Sequence, residues 1–201
     1  MSAALLAPGF LGSFGGAFDF IFSERDSVQG PELQVGGLGQ IWELASTQIA
    51  ISVVALLLAI AIALPLGLWL GHRGVGEFAA VAVGNAGRAI PELALIALMV
   101  AFIGTGNLNV TIAVMILGIP PILTNAFVGV RQADRGAVEA ARGIGMSELA
   151  IIARIELPLA VPTIMGGVRT ASVNIIATAT IGSLAGVKTL GDLILSPNVY
   201  G

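Results

Sequence analysis

Ile49 to Leu70 is a run of 22 residues without a charged side chain. At ~1.5 Å per residue a helix of that length crosses the ~30 Å hydrocarbon core of a bilayer. The run therefore reads as a membrane span, and the composition agrees. Hydrophobic residues make up 56% of the 201-residue chain, charged ones only 10%, and the mean hydropathy is +0.97. Soluble domains carry roughly 25% charged residues. The absence of cysteine excludes disulfides, iron–sulfur clusters and thiolate metal sites. One histidine, His72, does not make a zinc enzyme or a histidine relay, and it reads as a plain loop residue. Nine basic residues against twelve acidic ones give no footprint for nucleic acid.

In chain order, Met1 to Phe22 is apolar but has no basic n-region and no clear cleavage site, so it is not a signal peptide. Pro8, Gly9, Gly12, Gly15 and Gly16 make it a poor spanning helix, and an interfacial or re-entrant segment is expected. Ser23 to Gly39 is acidic and glycine-rich and reads as an external loop; Trp42 and Glu43 mark an interface. Residues 1–46 thus form an external or interfacial segment before a transmembrane core over 47–184. Spans are expected at 49–70, 78–103, 108–130 and 157–184, with an external tail at 185–201. Pro65 is expected to kink the first span near its end. The basic loop Gly71-His72-Arg73-Gly74 and the arginines at 131, 135, 142 and 154 lie two crossings apart. By the positive-inside rule both are cytoplasmic and the amino terminus is outside.

The one long polar stretch between apolar segments is Glu139 to Pro158. Ala140, Ala141, Ile144, Leu149, Ile152 and Ile155 recur at roughly helical spacing, which predicts two short amphipathic helices with a break near Gly143 and Gly145. Such a pair looks like a docking element for another protein, although a solvated amphipathic loop has the same pattern. The spacing Glu139-Ala140-Ala141, Gly145, Ile155-x-Leu157-Pro158 resembles the EAA loop of the membrane subunits of bacterial ABC importers. Downstream, LPLAVPTIMGGVRTASVNIIATATIGSLAGVKTLGDLI is similar to the glycine betaine/choline osmoprotectant permeases. The likeness runs from about Ile49 to Asp192.

The resemblance implies an all-α polytopic bundle of the type I importer kind, with at least four spans. Members usually carry a fifth span after Gly191-Asp192-Leu193-Ile194, whereas this chain stops at Gly201, so it is expected either to be truncated or to pack differently. It also implies a coupling loop over 131–156, with Glu139, Ala140, Ala141, Gly143, Ile144, Gly145, Ile155, Leu157 and Pro158 as the residues that meet a cytoplasmic ABC ATPase. ATP-Mg would sit on that partner, and this chain would bind no cofactor or metal. Further implied partners are a second permease copy or a paralogous permease, an external substrate-binding protein and the lipid bilayer. The setting would be a bacterial or archaeal plasma membrane.

Charges inside spans are costly, ~2.5–3.5 kcal/mol on insertion scales, and turn toward a bundle interior. Arg88 and Glu92 are four apart, with Pro91 between them, and would pair on one helix face if Pro91 leaves that turn intact. Arg169 lies ~16 Å past Pro158 at helical rise, near the midplane, and is expected to meet Glu92 or helix carbonyls. Arg88, Pro91, Glu92, Arg169, Asn174 and Thr178 are the candidate path residues. The same charges could be a structural ion pair, and Asn174, Thr178, Thr180 and Ser183 could be interhelical glue.

An enzyme is not expected. No GxxxxGK[ST] loop occurs, and a Ser183–His72 pair would lie at opposite ends of the membrane. The expected function is therefore a non-catalytic permease subunit for glycine betaine, choline, carnitine or proline, driven by a partner ATPase. A permease for another amino acid such as methionine, or a non-ABC carrier or scaffold, are the alternatives.

Overall fold

The computed structural model describes the backbone of residues 10–200, and the side chains of that range except residues 10–14, 79, 81, 86 and 88. Residues 1–9 of the expected interfacial segment, and the Arg88 side chain, lie outside the described residues. Helix α1 (Phe10–Phe22) leads into an antiparallel hairpin of β1 (Glu24–Ser27) and β2 (Gly30–Gly36). Eight helices follow: α2 (Gly37–Arg73), α3 (Glu77–Ala89), α4 (Glu92–Ile103), α5 (Asn107–Arg131), α6 (Arg135–Gly143), α7 (Glu148–Ile151), α8 (Leu157–Ile181) and the short α9 (Asp192–Leu195). A last turn, α10, covers Pro197–Tyr200.

Among the described residues, three helical stretches are long and apolar enough to cross a membrane: Gly37–Arg73, Asn107–Arg131 and Glu148–Ala185. The last includes α7, a π-helical turn at Ile152–Glu156, α8 and a 3-10 turn at Gly182–Ala185. The first helix is longer than its uncharged core, starting at Gly37 and passing Pro65 without a break in its helical run. At 78–103 the interruption around Pro91 becomes a full break. Pro91 takes an extended conformation with ψ 118°, and α3 and α4 are separate helices of 13 and 12 residues. Arg88 and Glu92 therefore do not share a helix face, because the turn that would have stacked them is gone.

Helix α5 forms the centre, packed between α2 and α8 and flanked by α3 and α4. The contact with α2 is built on small residues every fourth position: Ala55, Ala59, Ala63, Gly67 and Gly71 are all buried. Residues four apart lie on one helix face, so this seam lets the two backbones approach closely, the usual means of membrane helix packing. At Gly67 a Cβ would lie 2.6 Å from Ala126 Cβ and 2.7 Å from the Leu123 carbonyl oxygen, so only glycine fits. On the other side of α5, Ala160, Ile164, Gly167, Ala171 and Ile175 of α8 are buried.

At the end of the bundle away from Arg73, the helices are tied by polar contacts. Gln48 of α2 donates to the Ile176 carbonyl at 3.2 Å and the Thr180 hydroxyl at 3.0 Å, and accepts from Leu190 N–H at 3.1 Å. Thr180 is thus glue between helices. The hairpin is a correction to the expected loop. Arg25 donates to the Tyr200 carbonyl at 2.7 Å and Ser27 to the Val199 carbonyl at 2.7 Å, so distant backbone fixes strands that the local sequence leaves open. Burial pushes the Tyr200 phenol above its ordinary range, with Asp192 adding to the effect.

Candidate functional site: the polar hairpin and the adjoining cavity

The stretch after α5 folds as a helical hairpin because each end is capped. Asp134 accepts from Gly136 N–H at 2.8 Å and opens α6; Ser147 accepts from Ala150 N–H at 3.3 Å and opens α7. Between them α6 ends in a Schellman turn: Gly145 N–H donates to Arg142 O at 3.0 Å and Met146 N–H to Ala141 O at 3.1 Å. Gly145 has φ +84°, the left-handed conformation this turn requires. Beyond α7 the chain widens into the π turn directly upstream of Pro158, whose ring and missing N–H disturb the helical ladder over those residues.

The hairpin sorts its residues by face. Glu139, Ala140, Gly143, Gly145 and Pro158 are exposed, Ile155 and Leu157 are half-buried, and Ile144 and Leu149 are 81% and 73% exposed. Ala141 is the exception to the expected surface: it is 4% exposed and belongs to the chain's own core. The periodicity placed it with Ala140, but one helical step of ~100° turns it inward. Ile144 and Leu149 are large apolar side chains left in water around a tight turn.

The base of the hairpin is locked by charge. Arg142 donates to Glu148 through Nε at 3.2 Å and Nη2 at 3.0 Å, a bidentate pair across the α6–α7 turn. That hydrogen bond, with the carboxylate's charge, raises the Arg142 guanidinium above its ordinary range. Glu148 also lies 2.9 Å from His72 Nε2, and the other ring nitrogen of His72 is 2.8 Å from Glu156. The His72 and Glu156 side chains are 4% and 6% exposed. His72 is therefore not a loop residue: α2 continues through it, and it joins α2 to the hairpin. No local sequence signal pointed to it: Glu156 is 84 positions away, and Glu148, whose side chain is 55% exposed, reads as an ordinary surface acid. Behind this cluster a cavity of about 170 Å³ is lined by Gly71, His72, Val130, Arg131, Ala133, Arg135, Val138, Glu139, Arg142 and Glu156.

A second polar cavity, of about 220 Å³, lies farther along the bundle. The broken span supplies Gly84, Gly87, Ile90 and Glu92; α5 supplies Leu117, Pro120, Pro121, Thr124 and Asn125; α8 supplies Thr170 and Asn174. Pro120 and Pro121 lack the N–H groups that would bond the carbonyls four residues back, and such freed carbonyls are tolerated where they face a cavity. Thr124 donates to the Ala80 carbonyl at 3.2 Å and Asn125 to the Pro121 carbonyl at 2.8 Å. Thus Glu92 and Asn174 come together at this cavity. Thr178 does not: it is fully buried between helices. Arg169 is exposed on α8 and forms no ion pair with Glu92. It stands one position before Thr170, which turns its side chain away from the cavity wall. Pro91 is exposed at the break.

Residues 63–201 match the family described as the binding-protein-dependent transport system inner membrane component. The chain is 36% identical to the carnitine transport permease protein OpuCB of Listeria monocytogenes, over 81% of this chain and 73% of that one. It is 33% identical to the choline transport system permease protein OpuBB of Bacillus subtilis, over 84% and 77%. It is 30% identical to the glycine betaine/proline betaine transport system permease protein ProW of Escherichia coli, over 81% and 46%. A chain in the solved structure of the MetNI methionine ABC transporter, in inward-facing conformations, shares the fold with TM-score 0.67 at 19% identity, covering 78% of this chain and 79% of that one.

Proposed function

Because the chain belongs to the family of binding-protein-dependent transport system inner membrane components, we propose that it is the permease subunit of an ATP-driven importer for osmoprotectants of the glycine betaine, choline, carnitine and proline class. Relatives named for carnitine, choline and glycine betaine transport support that solute class. The α6–α7 hairpin receives a cytoplasmic ABC ATPase, which carries ATP-Mg. Ile144 and Leu149 seat in the partner, rimmed by Glu139, Ala140, Gly143 and Gly145, as an apolar helix tip fills a groove. Ile155, Leu157 and Pro158 form the joint that passes the movement into α8. A second permease, identical or paralogous, faces the Glu92–Asn174 cavity and completes the path. An external binding protein delivers the solute. The chain sits in a plasma membrane with several crossings and its amino terminus outside, since Arg73, Arg131, Arg135, Arg142 and Arg154 gather at the hairpin end.

The observation that carries this reading is the hairpin itself: two large apolar residues held in water by a capped, ion-paired turn. Substituting Ile144→Asp together with Leu149→Asp tests it by co-purification. The unaltered chain should carry a stoichiometric ATPase, and the double variant should lose it while remaining folded. An unaltered chain that carries no nucleotide-hydrolysing partner contradicts the proposal.

A further inference from the structure

We infer that His72 is a positioning residue for transport, the link through which displacement of the α6–α7 hairpin is passed to α2 as well as to α8. The inference rests on the importer reading and adds a second route of coupling to it. Among the described residues, His72 is the side chain through which α2 makes polar contact with the hairpin. Its two nitrogens hold two different elements: Nε2 faces Glu148 of α7 at 2.9 Å, and Nδ1 faces Glu156 of the π turn at 2.8 Å. Glu148 is in turn held by Arg142 of α6. A chain of four side chains thus crosses α6, α7, α2 and the entry to α8.

The chemistry makes this link stiff. Nδ1 is hydrogen-bonded to Glu156 and Nε2 lies in close polar contact with Glu148, and an imidazole has no long flexible stem between its nitrogens and its backbone. Hydrogen bonds to ionised groups are the shorter and stronger kind. The ring and Glu156 are both buried, so water does not readily replace either partner. The end of α2 is also anchored: its last turn closes on Gly74 in the left-handed conformation, and Arg73 lies 4.4 Å over the Trp69 ring. A pull on Glu148 therefore reaches a helix end that does not fray. From there it enters the small-residue seam with α5, where Gly71 and Gly67 bring the backbones into contact.

The test is solute taken up per ATP hydrolysed, measured on the whole complex in liposomes with radiolabelled glycine betaine, choline and carnitine as probes. Replacing His72→Ala alone would strand the Glu156 charge, so the deciding variant is His72→Leu with Glu156→Leu. Apolar exchange of a buried ion pair is commonly tolerated by the fold. This variant should keep its ATPase and hydrolyse ATP, yet take up roughly ten-fold less solute per ATP, the scale of a lost charge-assisted hydrogen bond. His72→Gln, which keeps a donor for one carboxylate, should fall between it and the unaltered chain. Equal uptake per ATP in all three overturns the inference and leaves the importer reading intact. So does a double-leucine variant that no longer holds its ATPase, for then the pair merely folds the hairpin. An unaltered chain without an ATPase overturns the importer reading itself.

Discussion

Ala141 and Ile144 stand three positions apart at the end of α6 and meet opposite surroundings, the first 4% and the second 81% exposed. Their substitutions should part accordingly. Ala141→Leu forces extra volume into a packed site and should cost about 1–3 kcal/mol, whereas Ile144→Ala should change stability by no more than about 0.5 kcal/mol. Thermal unfolding of the detergent-solubilised chain checks both, and equal melting temperatures would contradict the assignment of faces. Gly145 supplies a different kind of constraint. No atom lies within 4 Å of where its Cβ would stand, yet φ is +84°. Gly145→Val should therefore loosen the turn by backbone strain alone, about 1–3 kcal/mol. Faster proteolytic cleavage between Arg142 and Ser147, with the membrane helices unaffected, is the expected result.

At the scale of elements, the bundle depends on how closely α2 and α5 approach. Gly67→Val would press a side chain into Ala126 and the Leu123 carbonyl, at 2.6 and 2.7 Å from the Cβ alone. The expected destabilisation is about 1–3 kcal/mol. Gly39→Ala, on the same helix with open space around it, should instead leave the melting temperature unchanged or raise it slightly. Equal effects at the two positions would remove the seam from the account. The hairpin's break at Gly145 and the interruption at Pro91 were legible in the sequence. Each is a local rule written in consecutive residues. The seam of Ala55, Ala59, Ala63, Gly67 and Gly71, by contrast, went unread inside an evenly apolar run. What else escaped was set by distance along the chain. The β1–β2 hairpin is held by Val199 and Tyr200, 172 and 175 positions from the groups that bond them. His72 is 84 positions from Glu156. Its glycine-flanked, arginine-adjacent setting spoke for a loop, because nothing nearby revealed the two carboxylates that keep it in a helix.

For the whole molecule, the broken span is the element whose irregularity reaches furthest. Parting α3 from α4 brings Ile90 and Glu92 to a cavity of about 220 Å³ opposite Asn125 and Asn174. Glu92 is the one charged residue among the described residues that line it. A carboxylate shielded from bulk solvent attracts a cation more strongly than one in open water. In the proposed importer, choline presents only its positive charge to Glu92, while glycine betaine carries a carboxylate of its own that offsets the attraction. Glu92→Gln keeps the size and hydrogen-bonding ability of the side chain and removes only the charge. Choline uptake should therefore fall by roughly ten-fold, the scale of one interaction with an ionised group, and glycine betaine uptake should fall much less. Asn174→Ala should weaken both to a similar extent, since an amide does not favour either charge pattern. Competition of the two solutes for uptake into liposomes containing the assembled complex reads the ratio directly, free of differences in protein amount. An unchanged ratio in Glu92→Gln would mean that the cavity wall does not sort solutes by charge. Selection would then belong to the external binding protein, and the break at Pro91 would serve packing alone.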